Sequence, residues 1–99
     1  MSLPKEILDE IIRIVSKFKK VEKLLLFGSR ATGDFKKASD IDLAIFGSAV
    51  SDRDMALMQD ELEEKVITPL QFDIVHFDTL TKENLKNDIL KEGIVLYES

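Results

Sequence analysis

Three acidic residues and one small turn are where this sequence could do chemistry. Asp40 and Asp42 stand two apart in "SDIDLAIF", Asp73 interrupts "FDIVHF", and Gly28-Ser29 directly follow "KLLLF". Carboxylates inside apolar strand-forming runs cost stability unless something compensates them. Alternate residues of a strand share a face, so Asp40 and Asp42 point the same way, with alpha carbons about 7 Å apart. In the later run Phe72, Ile74 and His76 share one face, and Asp73 and Val75 the other. Strands close in sequence are usually neighbours in a sheet, which would bring Asp73 beside the pair. Three like charges so close repel one another. A hard divalent cation relieves them, and carboxylate oxygens are the ligands Mg²⁺ prefers. Held by few carboxylates, Mg²⁺ keeps positions for substrate phosphates, and two ions about 3.5–4 Å apart can clamp an in-line displacement at phosphorus. Asp73 could also accept the proton of the attacking hydroxyl.

Gly28-Ser29 complements such a site. A glycine leaving a strand lets the backbone approach a ligand, and if residues 29–33 wind into a short helical turn, its first N–H groups point at an anion. The Ser29 hydroxyl supplies one more donor. Arg30 either touches phosphate or pairs with an acidic loop residue such as Asp34. Singly, a Gly-Ser turn or an Asp-x-Asp is usually structural. Together, a Gly-Ser leaving a strand, ten residues, an Asp-x-Asp in a strand and one more Asp in a later strand make a specific set.

The elements that must position these groups follow from the apolar spacing. Pro4 suits the first turn of a helix, with Ile7, Ile11, Ile12, Val15 and Phe18 as its buried stripe. Residues 23–27 read as a buried strand, and Gly28, Gly33 and the polar run to Ser39 as turn and loop. Residues 40–46 form a second strand, whose buried face carries Ile41, Leu43 and Ile45. Ser51 and Asp54 make a capping box. They open a helix with Met55, Met58, Leu62 and Val66 inward, and Pro69 closes that stretch. Residues 72–77 are a third strand. Thr79 or Thr81 caps a last helix with Leu85 and Ile89 inward, Gly93 stands as its C-cap, and residues 94–97 are a final strand. The expected order is α-β-(turn)-β-α-β-α-β.

Bulk properties exclude several classes. A 99-residue chain with 44% hydrophobic residues is one folded domain, residues 1–99. A domain this small buries a modest share of its surface, so a helper subunit or a homodimer fits it. The net charge of −5 disfavours binding along nucleic-acid backbones. The one basic cluster, Lys17, Lys19, Lys20 and Lys23, reads as helix-dipole complementation and solubility. Without cysteine there is no disulfide, thiolate metal site or thiol nucleophile. No segment has the length of a membrane span, and "MSLPKEIL" lacks a signal-peptide pattern, so a cytoplasmic location is expected. His76, the single histidine, and Tyr97 read as structural, and Asp78 as a helix cap.

"GSRATGDFKKASDID" resembles the G-S-x₁₀-D-x-D pattern of the polymerase-beta-like nucleotidyltransferase superfamily. Nearly the whole chain is similar to its minimal nucleotidyltransferase branch, the antitoxin-type proteins paired with HEPN-domain toxins. That resemblance implies an α/β (α+β) fold, a mixed sheet of about four strands flanked by helices. It implies transfer of a nucleoside monophosphate from an NTP, ATP in this branch, with release of pyrophosphate. Gly28 and Ser29 would hold the triphosphate, Asp40 and Asp42 would bind Mg²⁺, and Asp73 would fill the third-carboxylate position. With no second domain to bind an acceptor, the acceptor is expected on a partner. The resemblance suggests a HEPN-domain ribonuclease toxin, modified with AMP on a tyrosine. The alternative is a non-catalytic antitoxin that neutralises its partner by binding. Adenylylation of a small molecule is disfavoured for want of an acceptor domain.

Overall fold

The computed structural model describes residues 3–32 and 40–99. Helix α1 spans Lys5–Ser16 behind Pro4. Ile11, Ile14 and Val15 are its buried residues, while Ile7, Leu8 and Ile12 are partly covered. The expected stripe therefore centres on Ile14 as well, and Ile12 lies at its margin. Strand β1, Lys23–Phe27, matches the apolar run "KLLLF" end to end. A one-turn helix α2, Ser29–Thr32, follows Gly28. Strand β2 is Ile41–Phe46, one residue shorter than expected, so Asp40 sits just before it. Helix α3 is Asp52–Lys65, opened by the expected reciprocal bonds between Ser51 and Asp54, and it ends well before Pro69. Strand β3 is Phe72–His76. Phe77 belongs instead to a single 3-10 turn, Phe77–Thr79. Helix α4, Glu83–Glu92, and strand β4, Ile94–Glu98, complete the chain.

The four strands form one mixed sheet in the order β3-β2-β1-β4. β1 is antiparallel to β2 and to β4, and β2 is parallel to β3. A parallel neighbour needs a crossover, which α3 provides. This connectivity decides where the chemistry can sit. The end of β1, where Gly28 follows Phe27, and the starts of β2 and β3 all lie at one end of the sheet.

Both faces of the sheet are covered, which the sequence reading did not anticipate. Ile41, Leu43 and Ile45 pack with Leu24 and Leu26 against α1 and α3, through Ile11, Ile14, Val15, Met58 and Leu62. The opposite face buries Leu25, Phe27 and Ala44 against Ile89 of α4, with Phe46, Val75, Phe77, Leu80 and Leu85 around them. Asp42 and Asp73 share the side of Ala44 and Val75, beyond the part that α4 covers. Burial thus falls away toward the carboxylates, with Asp42 half-buried and Asp73 exposed.

Two further expectations change and one holds. Helix α4 is not capped by Thr79 or Thr81. Its N-cap is Lys82, with no side-chain bond, and the Thr79 hydroxyl donates to the carbonyl of His76 at 3.1 Å. Gly93 is the C-cap of α4, as expected, with an ordinary φ of −67°. It is glycine for space, since a Cβ there would press on Leu25 and the carbonyl of Ile89. Asp78 is no helix cap; its carboxylate accepts from the backbone N–H of Gly47 at 2.9 Å. His76 is buried beside it and bonds through Nε2 to the Gly47 carbonyl at 2.7 Å, so both residues tie the end of β3 to the end of β2. Tyr97 and Met55 pack against the core, as expected. Among the described residues no helix is long and apolar enough to cross a membrane.

Candidate active site

At the open end of the sheet, Asp42 and Asp73 are direct partners across the parallel β2–β3 pair. Partnered residues of adjacent strands project to the same side about 5 Å apart, so the two carboxylates are neighbours. Asp40, two residues before Asp42, adds a third charge to that side. Asp40 and Asp73 are exposed, whereas Asp42 is half-buried. Its pKa is pushed up from 3.8 to about 6, first by burial, then by the charge of Asp73, then by that of Asp40. The interrupted apolar runs therefore do meet in space.

The glycine turn abuts the same carboxylates. Phe27 pairs with Asp42, and Gly28 is the next residue. Gly28 has φ of +74°, a left-handed conformation that costs other residues about 1–2 kcal/mol. A Cβ there would also run into the Asp42 carboxylate, lying 3.2 Å from its carboxyl carbon. Glycine at this position is thus required twice, by backbone conformation and by the approach to Asp42. From Gly28 the chain winds directly into α2, whose Ala31 and Thr32 N–H groups donate to the Gly28 carbonyl at 3.1 and 3.2 Å. The first N–H groups of such a turn have no carbonyl partner within it and point out of its start. Arg30 is buried at 5% exposure rather than projecting into solvent. Asp34, its expected alternative partner, and Gly33 and Ser39 lie outside the described residues.

This donor set fits a hard cation. It offers carboxylate oxygens alone, and two of the three causes that raise Asp42 are repulsion from the other two. Among the described residues no three His, Cys, Asp or Glu side chains form a ready-made metal cage, so the three aspartates adjoin without closing on one point. Mg²⁺ suits that arrangement, because it takes few carboxylates and fills its remaining positions with water and phosphate oxygens. One relevant side chain escaped the sequence reading: Gln59, whose amide Nε2 donates to the carbonyl of Phe72 at 2.7 Å, next to Asp73. A bond from a helix to a main-chain atom 13 residues on leaves no pattern in a sequence.

A family model described as polymerase beta, nucleotidyltransferase matches residues 9–99. A Methanocaldococcus jannaschii protein described as "Putative protein adenylyltransferase" is 32% identical over 107 residues, covering 98% of this chain and 100% of that one. Among solved structures, a toxin-antitoxin with AMP-PNP matches with a TM-score of 0.74 at 19% identity, over 98% of this chain and 75% of the other. A tri-AMPylated Shewanella oneidensis HEPN toxin in complex with MNT antitoxin matches at 0.72 and 18% identity, over 96% and 72%. At these identities the solved structures speak to the fold, and they do so over nearly the whole chain.

Proposed function

Because the chain belongs to the polymerase beta nucleotidyltransferase family, we propose that it transfers AMP from ATP, with Mg²⁺, to a hydroxyl of a HEPN-domain toxin and so serves as its antitoxin. The observation that carries this reading is the register of Asp42 against Asp73 beside the Gly28 turn. The transferase class is that of the family and of the archaeal relative's description. The HEPN partner and the adenine nucleotide come from the descriptions of the solved neighbours, one holding AMP-PNP and one an AMPylated HEPN toxin. A tyrosine is the acceptor this reading favours.

Asp40, Asp42 and Asp73 are the residues assigned to hold Mg²⁺, which when bound supplies charge neutralisation for the triphosphate and the leaving group. The chain's own groups do the rest. Gly28, whose missing Cβ leaves room for the Asp42 carboxylate, turns the chain so that the first N–H groups of α2 are assigned to the triphosphate oxygens. Ser29, whose side chain lies outside the described ones, is assigned to them by the family resemblance. Arg30 adds positive charge from within the turn. Asp73, exposed at the start of β3, is the residue assigned to take the proton of the incoming hydroxyl. The hydroxyl oxygen bonds to the α-phosphorus, the α–β anhydride bond breaks, and pyrophosphate leaves with its electron pair.

Intact-mass analysis tests this directly. A HEPN-domain protein encoded beside this chain is incubated with it, ATP and Mg²⁺, and the Asp40→Asn, Asp42→Asn double variant runs in parallel. The reading predicts a gain of one or more AMP masses on the partner with the wild type and none with the variant. A stable complex without mass gain, with neutralisation unchanged in the variant, would overturn it in favour of a binding antitoxin.

A further inference from the structure

Resting on that reading of the site, we propose that Gln59 is a positioning residue for Asp73, holding from outside the sheet the peptide that aims this carboxylate at Asp42. Among the described residues β3 is an edge strand, hydrogen-bonded to β2 on one side only. The carbonyl of Gln71 faces β2, where it accepts from the N–H of Ile41 at 2.9 Å. Main-chain groups alternate sides along a strand, so the carbonyl of Phe72 faces outward, away from β2. That carbonyl is the one that receives the Gln59 amide, at 2.7 Å in a partly buried setting. In a trans peptide the C=O and N–H point opposite ways, so this same unit directs the Asp73 N–H inward. The Phe72–Asp73 peptide is therefore gripped from both sides, by β2 within the sheet and by α3 outside it.

The grip has a specific load to bear. Asp73 and Asp42 are register partners of like charge, and the repulsion between them tends to swing the edge strand away from β2. The orientation of a side chain follows from the backbone angles of its own residue, and the first of those for Asp73 is set by the peptide that Gln59 holds. Gln59 follows the fully buried Met58, so the helix that presents it is anchored in the core. A donor on an anchored helix thus holds the main chain that carries this exposed carboxylate. Such supporting bonds are characteristic of groups that ligate metals, and their loss weakens metal binding by about tenfold or more.

The test compares the wild type with Gln59→Met, which keeps the length but loses the donor, and Gln59→Lys, which keeps a donor of similar reach. Amide hydrogen exchange by NMR on the ligand-free chain reads the position of Asp73, and Mn²⁺ titration in the presence of a non-hydrolysable ATP analogue reads the site. Gln59→Met should speed exchange at the Asp73 N–H by about tenfold while leaving β1 amides unchanged. It should also weaken Mn²⁺ by about tenfold, and Gln59→Lys should restore both. In an Asp73→Asn background Gln59→Met should weaken Mn²⁺ no further, because it acts through the carboxylate already removed. Unchanged exchange at Asp73, an equal rise across the whole sheet, or the same Mn²⁺ loss in both backgrounds would overturn the proposal. Equal Mn²⁺ affinity of the wild type and Asp73→Asn would instead overturn the place of Asp73 in the site, with the exchange result still deciding what Gln59 holds.

Discussion

Replacing Asp42 by asparagine should make the metal-free protein more stable at neutral pH while ending its activity. Asp42 is half-buried between two like charges, and its pKa is raised from 3.8 to about 6. The folded chain therefore keeps this proton to higher pH than the unfolded chain does. The stability it contributes is fully present below about 3.8 and is lost as pH rises through about 6. The interval is equivalent to at most about 3 kcal/mol, which solvent screening of an incompletely buried side chain reduces to about 1 kcal/mol. Asparagine resembles the protonated acid in shape and has no charge to repel Asp40 and Asp73. For a domain of this size about 1 kcal/mol moves the melting temperature by about 4–8 °C. Thermal unfolding followed by circular dichroism in EDTA, from pH 4 to pH 8, provides the assay. The variant should melt higher at pH 8, with the gap narrowing as pH falls toward 4. Adding Mg²⁺ with an ATP analogue should raise the wild type and leave the variant in place. A variant less stable at pH 8, or a gap that does not change with pH, would refute the reasoning, since packing rather than charge would then decide.

Gly28→Ala should lower stability by about 1–2 kcal/mol through its left-handed backbone and also displace the Asp42 carboxylate, so denaturant unfolding and nucleotide binding should both register the loss. Ser51→Ala removes one half of the α3 capping box and should cost about 1 kcal/mol in urea unfolding, with AMP transfer at 20 °C unchanged. His76→Leu deletes the donor to the Gly47 carbonyl, which keeps its bond from the Val50 N–H, so a loss of about 1 kcal/mol is expected. The same change lies at the end of the sheet away from Asp42 and should leave Mn²⁺ affinity as in the wild type.

Much of the candidate site could be read from the chain because its signals are local or periodic. The uninterrupted run of residues 23–27 identified β1, and Ser51 with Asp54 identified the start of α3. Strand alternation put Asp42 and Asp73 on definable faces, and one assumption of adjacency then brought them together, as the parallel register does. What escaped were relations between segments. Nothing in "DIDLAIF" says that α4 covers Ala44 on the carboxylate side, because that depends on where a helix 40 residues later comes to rest. Asp78 looked like a cap from its neighbours, yet its partner is the N–H of Gly47, 31 residues away. Gly93 was placed correctly as the C-cap of α4, but the tight packing on Leu25 that leaves no room for a Cβ there is a relation between segments that the local pattern does not show. Gln59 is the clearest case, a polar residue beside a buried methionine whose role is visible only once β3 lies against α3.

In the proposed function the carboxylates at the starts of β2 and β3 act by covalent transfer rather than by covering a partner. The measurement that separates these is the ribonuclease activity of the proposed HEPN-domain partner after this chain has been stripped away. The partner is incubated with the wild-type chain, ATP and Mg²⁺, freed under denaturing conditions, refolded and assayed beside an untreated sample taken through the same steps. Covalent transfer predicts that the treated partner stays inactive, carries AMP mass, and regains activity when a phosphodiesterase removes it. Full activity after separation, equal to the untreated sample and with unchanged mass, would contradict the account.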